Sequence, residues 1–89
     1  MKPGRVILMG AGPGDPDLLT RKAVRALLSA DVLLLDELVP PDIAELAPRA
    51  RVLRVGKRGG CRSTPQPFIQ RLMRRYALQG RAVVRVKGG

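Results

Sequence analysis

The length and composition of this chain limit what it can be. With 89 residues, of which 45% are hydrophobic, it is one small folded domain rather than a disordered tail, and no apolar run approaches the length of a membrane span. It contains no histidine and a single cysteine, which excludes histidine-based triads, the usual transition-metal sites and an internal disulfide. We therefore expect a domain that uses no metal and resides in the reducing cytoplasm.

The net charge of +10 is unevenly distributed along the chain. All seven acidic residues lie between Asp15 and Glu45, and twelve lysines and arginines follow Glu45. Such an imbalance is typical of a protein with an anionic partner, which could be nucleic acid, a membrane surface or a polycarboxylate. The alternative is that the basic residues solvate helix faces, as we expect of Arg71, Arg74 and Arg75.

The first part of the chain predicts a strand, a helix and a second strand. Residues 5–9, which contain the apolar run at residues 6–9, are predicted to be a strand, and apolar residues recur with helical spacing over residues 17–29. The glycine-rich turn between them ends on Asp15, the predicted helix cap, and Pro16, the predicted first helical position. Residues 32–35 are continuously apolar, which is typical of a strand buried on both faces.

The second part predicts a short helix over residues 42–46, then a strand over 51–55 whose mixed alternation indicates an edge. A basic, glycine-rich loop follows. A further helix is predicted from Pro65 to Gln79, and a fourth strand over residues 82–86. This order implies an α/β fold with a parallel sheet and right-handed crossovers.

In an open parallel sheet, ligands bind beyond the carboxyl ends of the strands. The chemically distinctive residues of this chain follow the four predicted strands in turn: Gly12 and Pro13, then Asp36, then Lys57 and Arg58, then Lys87, Gly88 and Gly89. An aspartate stands where the dinucleotide fingerprint has its third glycine, which argues against a bound pyrophosphate. The combination favours proton transfer by a carboxylate and a lysine.

Five motifs occur in order along the chain: GAGPGDPDLLT at residues 10–20, ADV at 30–32 leading to DxLV at 36–39, VGKR at 55–58, PQ at 65–66 and VVRxKGG at 83–89. The resemblance that they carry extends over all 89 residues. The set resembles the amino-terminal domain of the tetrapyrrole methyltransferases of siroheme and cobalamin synthesis. The VGKR and PQ elements are most similar to the members that methylate uroporphyrinogen III.

The resemblance implies a fold and an activity. Residues 1–89 would form the amino-terminal domain of a two-domain class III methyltransferase, with a mostly parallel sheet of four to five strands and helices on both faces. The activity would be C-methylation of uroporphyrinogen III by S-adenosylmethionine to give precorrin-2. The second domain is absent from these residues, so we expect the fragment alone to be inactive. The full-length enzyme would be a cytoplasmic homodimer without nucleic-acid or membrane partners.

The resemblance also assigns roles to residues. Asp36 matches the family's proton acceptor and Lys57 its proton donor. Three positions match contacts to the methyl donor, namely Pro13, Gly88 and Gly89. Because uroporphyrinogen III is a polycarboxylate, we expect basic residues to bind it. These are Arg58, Arg62 and Arg85.

The chain departs from the family at Glu37, where the family commonly has arginine. Other functions also stay open: another precorrin methyltransferase, a basic nucleic-acid-binding module, or a non-catalytic assembly domain. Against nucleic acid, Phe68 and Tyr76 are the only aromatic residues, and Tyr76 lies on the predicted apolar stripe of its helix. No aromatic platform is therefore predicted on which bases could stack.

Overall fold

The computed structural model of the protein describes residues 4–12, 15–55 and 65–88. Strands and helices alternate along these residues in the following order: β1 (Arg5–Gly10), a 3-10 helix (Pro16–Leu18), α1 (Arg21–Leu28), β2 (Val32–Asp36), a second 3-10 helix (Pro41–Leu46), β3 (Arg51–Val55), α2 (Gln66–Leu78) and β4 (Ala82–Lys87). The four predicted strands are confirmed to within one residue. None of the helices in this part of the chain is long and apolar enough to cross a membrane.

The four strands form one sheet in the order β1-β4-β2-β3, and every pairing is parallel. Strands β4 and β2 are central, whereas β1 and β3 are at the edges. The prediction of a parallel sheet is confirmed, and so is the edge position of the third strand. Within the described residues the sheet has four strands, the lower of the two expected numbers.

The core is built around β2, because its four apolar residues are fully buried. Leu33 and Leu35 belong to a cluster that includes residues of α1 and of the second 3-10 helix. On the opposite face, Val32 and Leu34 share a cluster with Ile69 and Met73 of α2, which confirms helices on both faces. The continuous apolar run of β2 is thus the consequence of its being covered on both sides.

The predicted single helix over residues 17–29 is wrong, because the segment is divided. The Asp15 side chain caps the first 3-10 helix, with Pro16 at its start, and that helix ends at Leu18. Thr20 has extended backbone angles, and its side chain accepts a hydrogen bond from the Ala23 amide at 3.1 Å. α1 therefore begins as a separate helix at Arg21. The threonine side chain binds an amide of the first turn, which in one continuous helix would donate to a carbonyl of the preceding turn.

Candidate active site

The parallel sheet brings the carboxyl ends of its strands to one edge. Asp36 at the end of β2 is the register partner of Val55, and Gly10 at the end of β1 is the partner of Lys87. The Ala11 amide continues this pairing past β1 and donates to the Lys87 carbonyl at 2.9 Å. The residues that follow β1, β2 and β4 are therefore neighbours, as the strand-end rule predicts.

Asp36 is the acidic side chain that ends β2 at this edge. Its Oδ2 accepts a hydrogen bond from the Gly88 amide at 3.3 Å. Its Oδ1 lies 3.7 Å from Nη2 of Arg85, which is an ion pair too long to be a hydrogen bond. The Asp36 side chain keeps 23% of its surface exposed. The carboxylate is thus held from two sides and still open to a ligand.

The turn that follows Asp36 is also fixed by hydrogen bonds. The Val39 amide donates to the Asp36 carbonyl at 3.0 Å. From the edge strand β3, Nη1 of Arg54 donates to the Val39 carbonyl at 3.0 Å and to the Asp36 carbonyl at 3.4 Å. Sequence reasoning missed Arg54; the available indication was an arginine interrupting the apolar residues of β3.

Arg85 lies in the central strand β4 and is only 7% exposed. Besides the ion pair with Asp36, its Nη1 donates to Oε1 of Gln66, the first residue of α2, at 3.0 Å. Gln66 was quoted in the PQ motif but was given no role. The structure therefore joins Asp36, Arg85 and Gln66 into one polar group across β2, β4 and α2. The expected contact of Arg85 with substrate stays a prediction.

Glycines let the backbone approach closely at this edge. A Cβ added to Gly88 would lie 2.6 Å from Cβ of Leu38, closer than side-chain atoms pack, so only glycine fits there without a shift. Gly12 has a φ of +59°, in the left-handed region that favours glycine. Among the described residues, no atom lies within 4 Å of a Cβ added to Gly10 or Gly12, so none of them closes this backbone off from a ligand.

Five of the predicted site residues lie outside the described residues: Pro13, Lys57, Arg58, Arg62 and Gly89. Their roles remain predictions. Within residues 4–12, 15–55 and 65–88 there is no group of three or more side chains that could hold a metal ion. The described part of the site consists of a carboxylate, a buried guanidinium and backbone amides.

Comparison with known proteins identifies the family. Residues 5–89 match the family model described as Tetrapyrrole (Corrin/Porphyrin) Methylases. The chain belongs to this family. The resemblance carried by the five sequence motifs is thereby confirmed, and the carboxyl edge described above is that of a tetrapyrrole methylase domain.

Individual members of the family are closely similar. The uroporphyrinogen-III C-methyltransferase of Pseudomonas aeruginosa is 71% identical over 86 residues, which are 97% of this chain and 35% of that protein. The crystal structure of uroporphyrin-III-C-methyltransferase from Thermus thermophilus superimposes with a TM-score of 0.83 at 40% identity, covering 100% of this chain and 36% of that one.

A second Thermus thermophilus structure of the same enzyme is a complex with S-adenyl homocysteine. It has a TM-score of 0.75 at 48% identity and covers 97% of this chain and 33% of that one. The chain thus spans about a third of the length of these relatives.

Proposed function

We propose that this chain is the amino-terminal domain of a two-domain methyltransferase that converts uroporphyrinogen III to precorrin-2, a step toward siroheme and cobalamin. The observation that carries the proposal is the Asp36 carboxylate, held at the carboxyl edge of a tetrapyrrole methylase sheet by the Gly88 amide. The names of the relatives support the substrate. Their greater length supports a second domain.

The proposed chemistry begins with proton removal from the substrate. A pyrrole carbon becomes nucleophilic when its ring system loses a proton, and Asp36 is the carboxylate placed to accept that proton. S-adenosylmethionine, when bound, supplies the methyl group, which forms a new carbon–carbon bond while the thioether leaves. Loss of one proton and gain of the methyl group leave the charge of the substrate unchanged. The proton that Lys57 is proposed to donate to the substrate is therefore matched by the loss of a second substrate proton to solvent.

The residues proposed to hold the methyl donor are Pro13, Gly88 and Gly89. The described part of this edge fits such a ligand, because none of the described residues closes off the backbone at Gly10 and Gly12. The S-adenyl homocysteine complex of the Thermus thermophilus relative supports a donor of this class. Binding through backbone groups is favoured here, since glycines leave amides and carbonyls uncovered.

The proposed substrate contacts are basic, in keeping with a polycarboxylate. Arg58 and Arg62 follow β3 in the sequence, and the last residue of β3, Val55, is the register partner of Asp36. Lys57 follows Val55 by two residues, and two residues of chain span at most about 7 Å. This short link is what supports a lysine near Asp36. A cytoplasmic homodimer is proposed for the full-length enzyme.

The experiment that tests this proposal measures methyl transfer by the full-length enzyme. Labelled S-adenosylmethionine is supplied with uroporphyrinogen III or, in parallel, with later precorrins. Label incorporated into uroporphyrinogen III, with precorrin-2 as the product, is the expected result. Label incorporated only into a later precorrin would mean that the domain serves another methylation in the same family. Incorporation into none of them would overturn the proposal.

A further inference from the structure

Arg85 is the buried charged residue of the described chain, and its position calls for a physical explanation. It lies on the central strand β4, where its register partner on β2 is Leu34. Its neighbours along the strand, Val84 and Val86, are almost wholly buried and pack on the α1 side. Because successive side chains of a strand alternate between faces, Arg85 lies on the other side of the sheet, toward α2, where Gln66 accepts from its guanidinium. A buried guanidinium is costly unless it is paired and hydrogen-bonded.

The partners of Arg85 lie on two different elements. Nη1 donates to Gln66 Oε1 at 3.0 Å, and Nη2 lies 3.7 Å from Asp36 Oδ1. The third nitrogen, Nε, is buried and has no hydrogen-bond partner among the described residues. Gln66 therefore anchors one end of the planar guanidinium fork, while the other end faces the Asp36 carboxylate.

The Asp36 side chain is more exposed to solvent than the Arg85 side chain. The Arg85 side chain is 8% exposed, whereas that of Asp36 is 23% exposed. A ligand at the carboxyl edge would therefore meet the carboxylate before it could meet the guanidinium. If Arg85 bound a substrate carboxylate directly, its guanidinium would need to be the more exposed of the two groups.

We propose that Arg85 is a positioning residue that acts through Asp36. Braced by Gln66, its guanidinium attracts one carboxylate oxygen of Asp36 while the Gly88 amide binds the other, which fixes the carboxylate plane toward the substrate. The inference rests on the proposed role of Asp36 as proton acceptor. In this proposal Arg85 affects the reaction through Asp36, in place of the expected direct contact with the substrate.

The proposal predicts a particular kinetic pattern. A base misplaced by about 1 Å costs on the order of a hundredfold in rate. Arg85→Gln in the full-length enzyme should therefore lower kcat by about a hundredfold and leave KM for uroporphyrinogen III unchanged. In an Asp36→Asn background the same substitution should have no further effect on kcat, because the residue through which it acts has already lost its function.

Two further variants complete the experiment. Gln66→Leu keeps both charged groups and removes the brace, and should lower kcat by about tenfold, the rate equivalent of one hydrogen bond to a charged group. If circular dichroism shows that Arg85→Gln does not fold, Gln66→Leu tests the proposal in its place. Arg71→Gln removes an exposed arginine from α2 and is the matched control, with unchanged kcat and KM.

The outcomes separate this inference from the proposed function. Wild-type turnover in Asp36→Asn would overturn both. If Asp36→Asn is impaired, a raised KM at unchanged kcat in Arg85→Gln would restore the substrate contact and overturn the positioning role. The positioning role would also be overturned if Arg85→Gln lowered kcat as much in the Asp36→Asn background as in the wild-type enzyme. Unchanged kcat in Gln66→Leu would overturn it as well.

Discussion

Asp36 combines three properties at a single position. It ends a buried strand, accepts a hydrogen bond from the amide of the glycine that follows the neighbouring strand, and keeps part of its carboxylate exposed. The first property comes from the apolar residues that precede it. The other two depend on β4, which places Gly88 and Arg85 beside it. At the scale of residues, the site is therefore one carboxylate and the groups that orient it.

Replacing Asp36 with asparagine tests its role as the base. The amide keeps the size of the side chain and an acceptor oxygen for the Gly88 amide, so the fold and methyl-donor binding should be retained. Turnover should fall by roughly a hundred- to ten-thousandfold, the usual contribution of a general base. Steady-state methyl transfer is the measurement, with the exposed Asp42→Asn as control. Near-wild-type turnover in Asp36→Asn would remove this residue from the mechanism.

Substitutions of Lys57 distinguish a proton donor from a charge contact. Lys57→Met should lower turnover by a similar hundredfold or more, since it abolishes proton donation. Lys57→Arg should restore attraction to a carboxylate but not a donor with an adjustable pKa, so it should recover KM more than kcat. Lys22→Met, an exposed lysine on α1, is the matched control. Full activity in Lys57→Met would show that this lysine only solvates the surface.

Gly88 should tolerate no side chain, for a steric reason. In Gly88→Ala the new methyl group would lie 2.6 Å from Cβ of Leu38, so β4 or the turn after Asp36 must move. We expect a loss of about 1–3 kcal/mol in the free energy of unfolding, the usual cost of overpacking, together with lower turnover. In Gly10→Ala the added methyl group meets no atom of the described residues within 4 Å, so stability should be nearly unchanged. Equal stability of the two variants by urea denaturation would contradict this explanation.

At the scale of elements, Asp31 connects three strands at the opposite edge of the sheet. Its carboxylate accepts a hydrogen bond from the Ala82 amide at 2.8 Å, and its own amide donates to the Ala82 carbonyl at 2.8 Å. Its carbonyl accepts from the Arg51 amide at 2.9 Å. The start of β2 is thereby aligned with β4 on one side and β3 on the other. The resulting register is what places Asp36 beside Gly88 five residues later.

Removing the Asp31 carboxylate should weaken this alignment. Asp31→Ala leaves the Ala82 amide without its side-chain partner, and we expect the free energy of unfolding to fall by about 1–3 kcal/mol. Asp31→Asn retains an acceptor oxygen and should lose less. Urea denaturation measures both variants. A loss as large for asparagine as for alanine would show that the hydrogen bond is not what Asp31 contributes.

At the scale of the whole molecule, the edge strand β1 carries apolar surface that the other described residues do not cover. Val6 is 41% exposed and Leu8 is 65% exposed, and an open groove of about 440 Å³ runs beside them and α1. The chain also spans only about a third of the length of its relatives. Both observations support the proposal that further chain completes the protein and its ligand cleft.

The isolated 89-residue fragment should therefore lack activity and bind S-adenosylmethionine poorly. The proposed contacts to the donor are divided between this domain and one that these residues do not contain, and half a cleft leaves the ligand partly solvated. We expect affinity at least about a hundredfold below that of the full-length enzyme, which corresponds to about 3 kcal/mol of lost contacts.

Isothermal titration of both proteins under one set of conditions makes this comparison, and circular dichroism of the fragment confirms that it is folded. Donor affinity equal to that of the full-length enzyme would mean that this domain forms the whole donor site. The two-domain cleft would then be wrong for this protein.

The sequence by itself determined the order of the strands and the edge of the sheet at which the site is proposed. The run from Val32 to Leu35 has no polar residue because both of its faces are covered, and a local pattern is enough to show that. Parallel pairing then follows from the helices between strands, and it brings Asp36 and the residues after β4 to one edge. The division of the first helix at Thr20 was missed because two successive caps compete within six residues.

Only the tertiary structure decided which side chains meet. The hydrogen bond from Gly88 to Asp36 joins residues 52 positions apart, and it exists because β4 lies between β1 and β2. Strand order is set by the packing of α1 and α2 on opposite faces, which no single segment encodes. For the same reason Arg85 read as one basic residue among many, whereas its burial against Asp36 and Gln66 arises from three elements packed together.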